Sequence, residues 1–183
     1  MPHQLPVTIY GMEILRKKTK PVKKIDNDLL ELVEDMFYTM RHSNGQGIAA
    51  PQVNSDLSLC IVDVSHHKQY KHLKPMIFLN PVIEKKSKKK VTMEEGCLSI
   101  PGLAVDVERS EKIVLKYDDF NLNKMTLEAD DMLARVIQHE VDHLNGQLIT
   151  DFLTAEQKKE LKTQLSKIKK GDIEVDYPIM TKK

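Results

Sequence analysis

Disulfide chemistry, net charge and long apolar runs are all scarce in this sequence, and each shortage excludes a class of protein. Only two cysteines are present, Cys60 and Cys97. A small secreted scaffold carries more of them in even pairs, so both are read as reduced thiols. Lys and Arg number 28 against 27 Asp and Glu, a formal charge of +1. That balance provides no global field for nucleic acid, and sequence-specific nucleic-acid binding is not expected. No run of about 18 apolar residues occurs, so no membrane span is expected. Met1-Pro2-His3-Gln4 lacks the basic and then apolar pattern of a leader. The expected location is cytoplasmic. No internal repeat is visible, and 183 residues suit one domain spanning residues 1–183.

What the sequence does contain is Gln138-His139-Glu140-Val141-Asp142-His143, with the pattern H-E-x-x-H. It continues a helical run, Met132-Leu133-Ala134-Arg135-Val136-Ile137. Residues four apart on a helix share a face, ~6 Å apart along the axis, so His139 and His143 can aim two imidazoles at one point. Two neutral imidazoles at that spacing suit a divalent transition metal. Glu140 is turned about 100° from His139, within reach of a water at the same point. It also continues the apolar stripe of Leu133, Val136, Ile137 and Leu144, where a carboxylate is costly unless it has a task or a partner.

A hydrolytic metal needs a third protein ligand and an open position. An extension of the motif to a third histidine would fall on Ile149, which closes that route. Glu156, Glu160 and Glu174 lie downstream without a supporting motif, and Cys97 lies upstream in Glu94-Glu95-Gly96-Cys97-Leu98-Ser99.

Elsewhere the pattern alternates between helix and strand. Residues 1–25 read as an extended arm broken by Pro6, Gly11 and Pro21. Asp26 or Asn27 caps a helix with Leu29, Leu30, Val33, Met36, Phe37 and Met40 at helical spacing, ended by Ser43-Asn44-Gly45. Gly45-Gln46-Gly47-Ile48-Ala49-Ala50-Pro51-Gln52 reads as a loop with little side-chain bulk. It is either an ordinary turn or a place where bare backbone meets a ligand. It lacks the third glycine and the lysine of nucleotide loops. Strands are expected at 57–64 and 76–83, with Pro81 marking an edge or a bulge. The basic run 85–90 reads as a solvated hairpin tip. Pieces at 104–108, 113–117 and 124–128 read as an antiparallel meander feeding the motif helix. Thr154-Ala155-Glu156-Gln157 opens a lysine-rich helix over 154–170, stopped by Gly171, with a tail at 172–183.

Three of these segments, Gly45 to Gln52, Glu95 to Ser99 and Gln138 to His143, resemble in order and spacing the motifs of the peptide deformylases. The resemblance covers nearly the whole chain, including Tyr10-Gly11, Ile14-Leu15-Arg16 and Asn80-Pro81. It implies an α+β fold, with antiparallel or mixed β-sheets around a central helix bearing H-E-x-x-H, an N-terminal helix and a C-terminal helix. It implies Cys97, His139 and His143 as metal ligands, Glu140 as acid and base, and Gln52 with the Leu98 N–H as oxyanion donors. The implied reaction is removal of the formyl group from N-formylmethionyl nascent peptides, with release of formate. Ferrous iron is the implied metal, with Ni²⁺, Co²⁺ or Zn²⁺ as substitutes; ligand chemistry alone favours zinc for such a set. Gly45, Gln46, Gly47, Ile48, Met132 and Val136 are candidate substrate contacts, the two glycines leaving room for a peptide backbone. Gln46 departs from the usual aliphatic residue there and puts an amide at the lip of the cleft. The basic 154–170 helix is a candidate ribosome contact. Two rival readings remain at this point: a zinc endopeptidase using Glu156 or Glu160, and a non-enzymatic module closed around a structural metal.

Overall fold

Strand β1 (Val7–Thr8) ends the N-terminal arm and leads through a 3-10 turn at Glu13–Arg16 to helix α1 (Asn27–His42). Asp26 starts that helix by accepting from Leu29 N at 3.1 Å, which satisfies one of the free N–H groups of the first turn. Its apolar face buries Leu29, Val33, Met36 and Met40. Then come β2 (Gly47–Ala49), β3 (Leu59–Val62), β4 (Met76–Lys86), β5 (Lys90–Gly96), β6 (Ala104–Ser110), β7 (Lys112–Asp118) and β8 (Lys124–Asp130). Helix α2 (Asp131–Leu144) carries the histidine motif, and α3 (Ala155–Glu160), α4 (Lys162–Lys170) and β9 (Ile179–Met180) complete the chain. These elements belong to a computed structural model that describes residues 1–181. Of the expected tail, Lys182 and Lys183 lie outside the described residues.

The fold is mixed α+β with antiparallel sheets and few helices. Five antiparallel strands run in the order β2-β3-β4-β7-β8, β5 and β6 form a separate hairpin, and β1 pairs in parallel with β9. Helix α2 packs on the five-stranded sheet, where Ala134, Ile137 and Val141 join Cys60, Val62, Phe78 and Leu115 in one apolar cluster. Cys60 is fully buried there, and burial pushes its thiol well above the ordinary range. A second cluster lies under α1, and a third joins the hairpin to α4 and the N-terminal arm.

The structure corrects four expectations. Residues 45–52 are not one loop: the turn ends early, and Gly47–Ala49 pair with Cys60–Val62 as an edge strand. Ile48 and Ala49 are fully buried, and pairing satisfies backbone groups that burial removes from water. Second, residues 104–110 do not open a meander with 112–118 but pair with 90–96. Glu111 alone separates β6 from β7, too short for a hairpin turn, so the chain steps from one sheet to the other. Third, the basic run 85–90 is a crossing between the same two sheets, not a hairpin tip. There Ser87 N donates to Lys112 O at 2.9 Å and Glu111 N to Lys89 O at 3.0 Å. Fourth, the 154–170 helix breaks at Leu161 into α3 and α4.

Pro81 sits at a register shift between Leu79 and Val82 in β4. The preceding Asn80 adopts φ 51°, in the left-handed region. Its side chain secures that conformation: Oδ1 accepts from Val22 N at 2.8 Å, and Nδ2 donates to Val22 O at 2.9 Å and Asp118 Oδ2 at 2.8 Å. Asn80→Ala loses three bonds and leaves a Cβ residue in strained backbone. It is expected to cost roughly 2–4 kcal/mol in denaturant unfolding. A loss below about 0.5 kcal/mol would show that the bulge does not depend on these bonds.

Candidate metal centre

Helical spacing on α2 brings the rings of His139 and His143 to a centroid separation of 5.0 Å. Cys97, one residue beyond β5, approaches from the hairpin, with its Sγ 3.3 Å from His143 Nε2. Ligand atoms of Cys97, His139 and His143 all lie within 4.8 Å of one another. Among the described residues this is the one group of His, Cys, Asp and Glu side chains found able to hold a metal. A soft sulfur with two imidazole nitrogens fits a divalent transition ion. Glu156, Glu160 and Glu174 are exposed on α3 and in the tail and take no part in it.

Behind the trio lies a buried charge network. Glu95 Oε2 bonds His139 Nδ1 at 2.9 Å, which leaves the other ring nitrogen of His139 for a ligand. Glu95 also takes two bonds from Arg109, at 2.6 and 2.9 Å, and one from Arg135 Nη1 at 2.6 Å. Arg109 reaches Asp142 at 2.7 Å, and Arg135 reaches the Val91 and Val107 carbonyls. Glu95, Arg109 and Arg135 are each 6–7% exposed, so the network fastens the β5–β6 hairpin to α2 in the interior. Burial pushes the Glu95 carboxyl up, but the bonds from His139 and Arg109 outweigh it and hold it at about 2. Burial also opposes charge on His139, yet its bonds to Cys97 and Glu95 raise it well above the ordinary imidazole range. His143 is driven the other way by burial and by the charge of His139.

None of this network is legible as a motif. The available signal was Arg135, a charge inside the run Leu133-Ala134-Arg135-Val136. A buried guanidinium requires a buried carboxylate within reach.

Glu140 sits next to the trio, 3% exposed, with Oε2 lacking a hydrogen-bond partner among the described residues. Burial raises its carboxyl to about 7. A Cβ at Gly47 would stand 2.8 Å from Glu140 Cδ and 2.9 Å from Cγ, nearer still to Oε1. The space that this glycine leaves, expected to serve a peptide backbone, is therefore taken by the Glu140 side chain. Gln52 is buried; its Oε1 accepts from Ala49 N at 2.9 Å. That bond aims Nε2 at Ser99 Oγ, 3.3 Å away, and Cys97 Sγ, 3.7 Å away.

A cleft of about 290 Å³ opens over these groups. Its walls include Gly45, Gln46, Gly47, Gln52, Cys97, Leu98, Met132, Val136, His139 and Glu140. His143 lies beneath the lining, 1% exposed. Ile48 is a correction: it points into the apolar cluster under α1, fully buried, because strand alternation turns it away from the cleft. The Gln46 amide stands at the lip, its Oε1 3.1 Å from His67 Nε2. Asn44, Glu94 and Gly96 also line the cleft and were not anticipated. No helix among the described residues is long and apolar enough to cross a membrane.

The family model for polypeptide deformylase matches residues 4–159. The peptide deformylase of Chlorobium phaeovibrioides is 45% identical over 175 residues, covering 96% of this chain and 92% of its own. The crystal structure of a Legionella pneumophila peptide deformylase superposes with a TM-score of 0.83 at 34% identity, covering 93% of this chain and 98% of the other. A class I type b peptide deformylase from Acinetobacter baumannii, solved with Met-Ala-Ser bound, gives 0.78 at 35% identity, with 84% and 100% covered. The chain belongs to the polypeptide deformylase family, metal-dependent hydrolases that remove the N-formyl group from newly made peptides.

Proposed function

We propose that residues 1–183 form one catalytic domain in which Cys97, His139 and His143 hold the metal and Glu140 moves the proton. The observation that carries this is the convergence of the trio on one point beside a buried carboxylate whose Oε2 has no hydrogen-bond partner among the described residues. We assign Fe²⁺ as the resident ion, with Ni²⁺, Co²⁺ or Zn²⁺ able to replace it. A divalent ion held there supplies Lewis acidity to a water and to the formyl carbonyl. Glu140 takes the proton of the attacking water and later returns one to the departing amine, a task suited to a carboxyl near 7. Gln52 Nε2 and the Leu98 N–H donate to the oxyanion as it forms.

The substrate class is an N-formylmethionyl peptide. Met132 and Val136, on the cleft wall, are proposed to receive the methionine side chain. Strand β2 lies at the edge of its sheet and is paired on one side only, so an extended peptide can add along its open edge as a further strand. The Acinetobacter relative with bound Met-Ala-Ser supports a cleft of this kind. We place the reaction in the cytoplasm, with the lysines of α3 and α4 as the ribosome contact. Replacing the exposed lysines Lys158, Lys159, Lys162 and Lys167 with serine should then abolish ribosome association while formate release from small formyl peptides continues.

Chain purified without air should hold about one iron and release formate from formyl-Met-Ala, with activity decaying in air as the metal or Cys97 oxidises. Full activity after aerobic purification with zinc alone would overturn the iron assignment. Cys97→Ser should lose its metal on dialysis; unchanged metal content would exclude Cys97 as a ligand.

A further inference from the structure

Beyond the segment matched by the family model, the tail after Gly171 doubles back over the N-terminal arm. Val7 N donates to Pro178 O at 2.8 Å, and Ile179 and Met180 align with Val7 and Thr8. Just before this strand, Tyr177 reaches inward, and its Oη donates to Leu98 O at 2.8 Å. Leu98 directly follows Cys97. The carbonyls on either side are held by backbone: Cys97 O accepts from Ile100 N at 2.9 Å and Ser99 O from Tyr10 N at 2.7 Å. Of three successive carbonyls in the turn that bears the sulfur, the middle one is held by a single side-chain hydroxyl from 79 residues away.

We propose that Tyr177 is a positioning residue for deformylation, fixing the Cys97–Ser99 turn so that the Cys97 sulfur and the Leu98 N–H keep their aim together. The inference rests on the ligand and oxyanion roles assigned above. The physical reason is local. The two peptide planes that flank Leu98 share its φ and ψ. One carries the Leu98 N–H, assigned above as an oxyanion donor, and the other carries the carbonyl that Tyr177 holds. Releasing that carbonyl frees the second plane to rotate, and the first plane, with the sulfur one residue before it, loses its fixed reference. Misplacement by a fraction of an ångström is enough to reduce a rate that depends on donor geometry. A phenol suits the task because it spans from a docked strand to a half-buried carbonyl as one rigid unit with two rotatable bonds.

The test uses the full chain loaded with Ni²⁺ as wild type, Tyr177→Phe, Ile179→Ala and Cys97→Ser. It measures kcat and KM on formyl-Met-Ala-Ser, loss of nickel to a chelator, and the Tm of the metal-free proteins. Tyr177→Phe is expected to lower kcat about tenfold with KM within twofold, and to speed metal loss severalfold, while Tm moves by no more than about 4 °C. Ile179→Ala, which thins the packing of the tail but keeps the phenol, should stay within twofold in kcat. Unchanged kcat and metal loss in Tyr177→Phe would overturn the proposal. So would an equal kcat loss in Ile179→Ala, which would assign the effect to tail docking, or a kcat loss in Tyr177→Phe without faster metal loss. Unchanged metal loss in Cys97→Ser would instead defeat the ligand assignment and is read separately.

Discussion

Glu140→Gln is expected to lower kcat by about 10³-fold or more while the metal content stays at that of the wild type. The amide keeps the length and shape of the side chain, so the space left by Gly47 remains filled and the trio is not disturbed. What disappears is the capacity to accept a proton. Stability should move the other way from activity. In the metal-free protein burial raises the Glu140 carboxyl from its ordinary value to about 7, so at neutral pH folding carries a penalty for burying its charge, and the neutral amide removes that penalty. An equal or higher unfolding midpoint, intact metal and lost formate release would together mark a group kept for chemistry. Turnover within tenfold of wild type would remove Glu140 as the base. Loss of the metal would show that its carboxylate takes part in holding the ion.

How much of this could be read in advance depended on how local the cause was. The ligand pair and Glu140 lie within five consecutive residues, and helical periodicity alone brings His139 and His143 to one face. Helix α1, its Asp26 cap and the Thr154–Gln157 cap are equally local, the caps set by neighbours within one turn. Strand partnership is not. Whether 104–110 pairs with 90–96 or with 112–118 depends on the length of the Glu111 linker and on which faces can be buried, and composition is the same in both cases. The orientation of Ile48 failed for the same reason: membership in a small-residue segment says nothing about which side of a strand it faces. Glu95, Arg109 and Tyr177 stayed hidden because their roles are defined by partners 14 to 79 residues away. A polar residue that recruits a distant partner has no periodicity of its own.

Glu95→Ala should show the largest structural effect in the molecule. Its carboxylate is the shared acceptor of Arg109, Arg135 and His139, and without it two guanidinium groups are left buried with too few acceptors. Breaking a buried ion pair from one side costs about 3–5 kcal/mol, and here two arginines are stranded together. The same change releases His139 Nδ1, so the ring is free to turn and metal affinity should fall about 10–100-fold. Denaturant unfolding of the metal-free chain reads the first effect, and competition with a chelator reads the second. Glu95→Gln separates them. Its amide oxygen can still accept from His139 or from one arginine but cannot neutralise either charge, so metal affinity should recover further than stability does. If both variants unfold within about 1 kcal/mol of wild type, the network is not what fastens the hairpin to α2. Two carboxylates thus stand in one site with opposite settings: Glu95, surrounded by cations, stays ionised down to about 2, while Glu140, buried and with no hydrogen bond to Oε2 among the described residues, is held at about 7. Environments that separate two like groups this far divide the work between them, one fixing a ligand and the other carrying a proton.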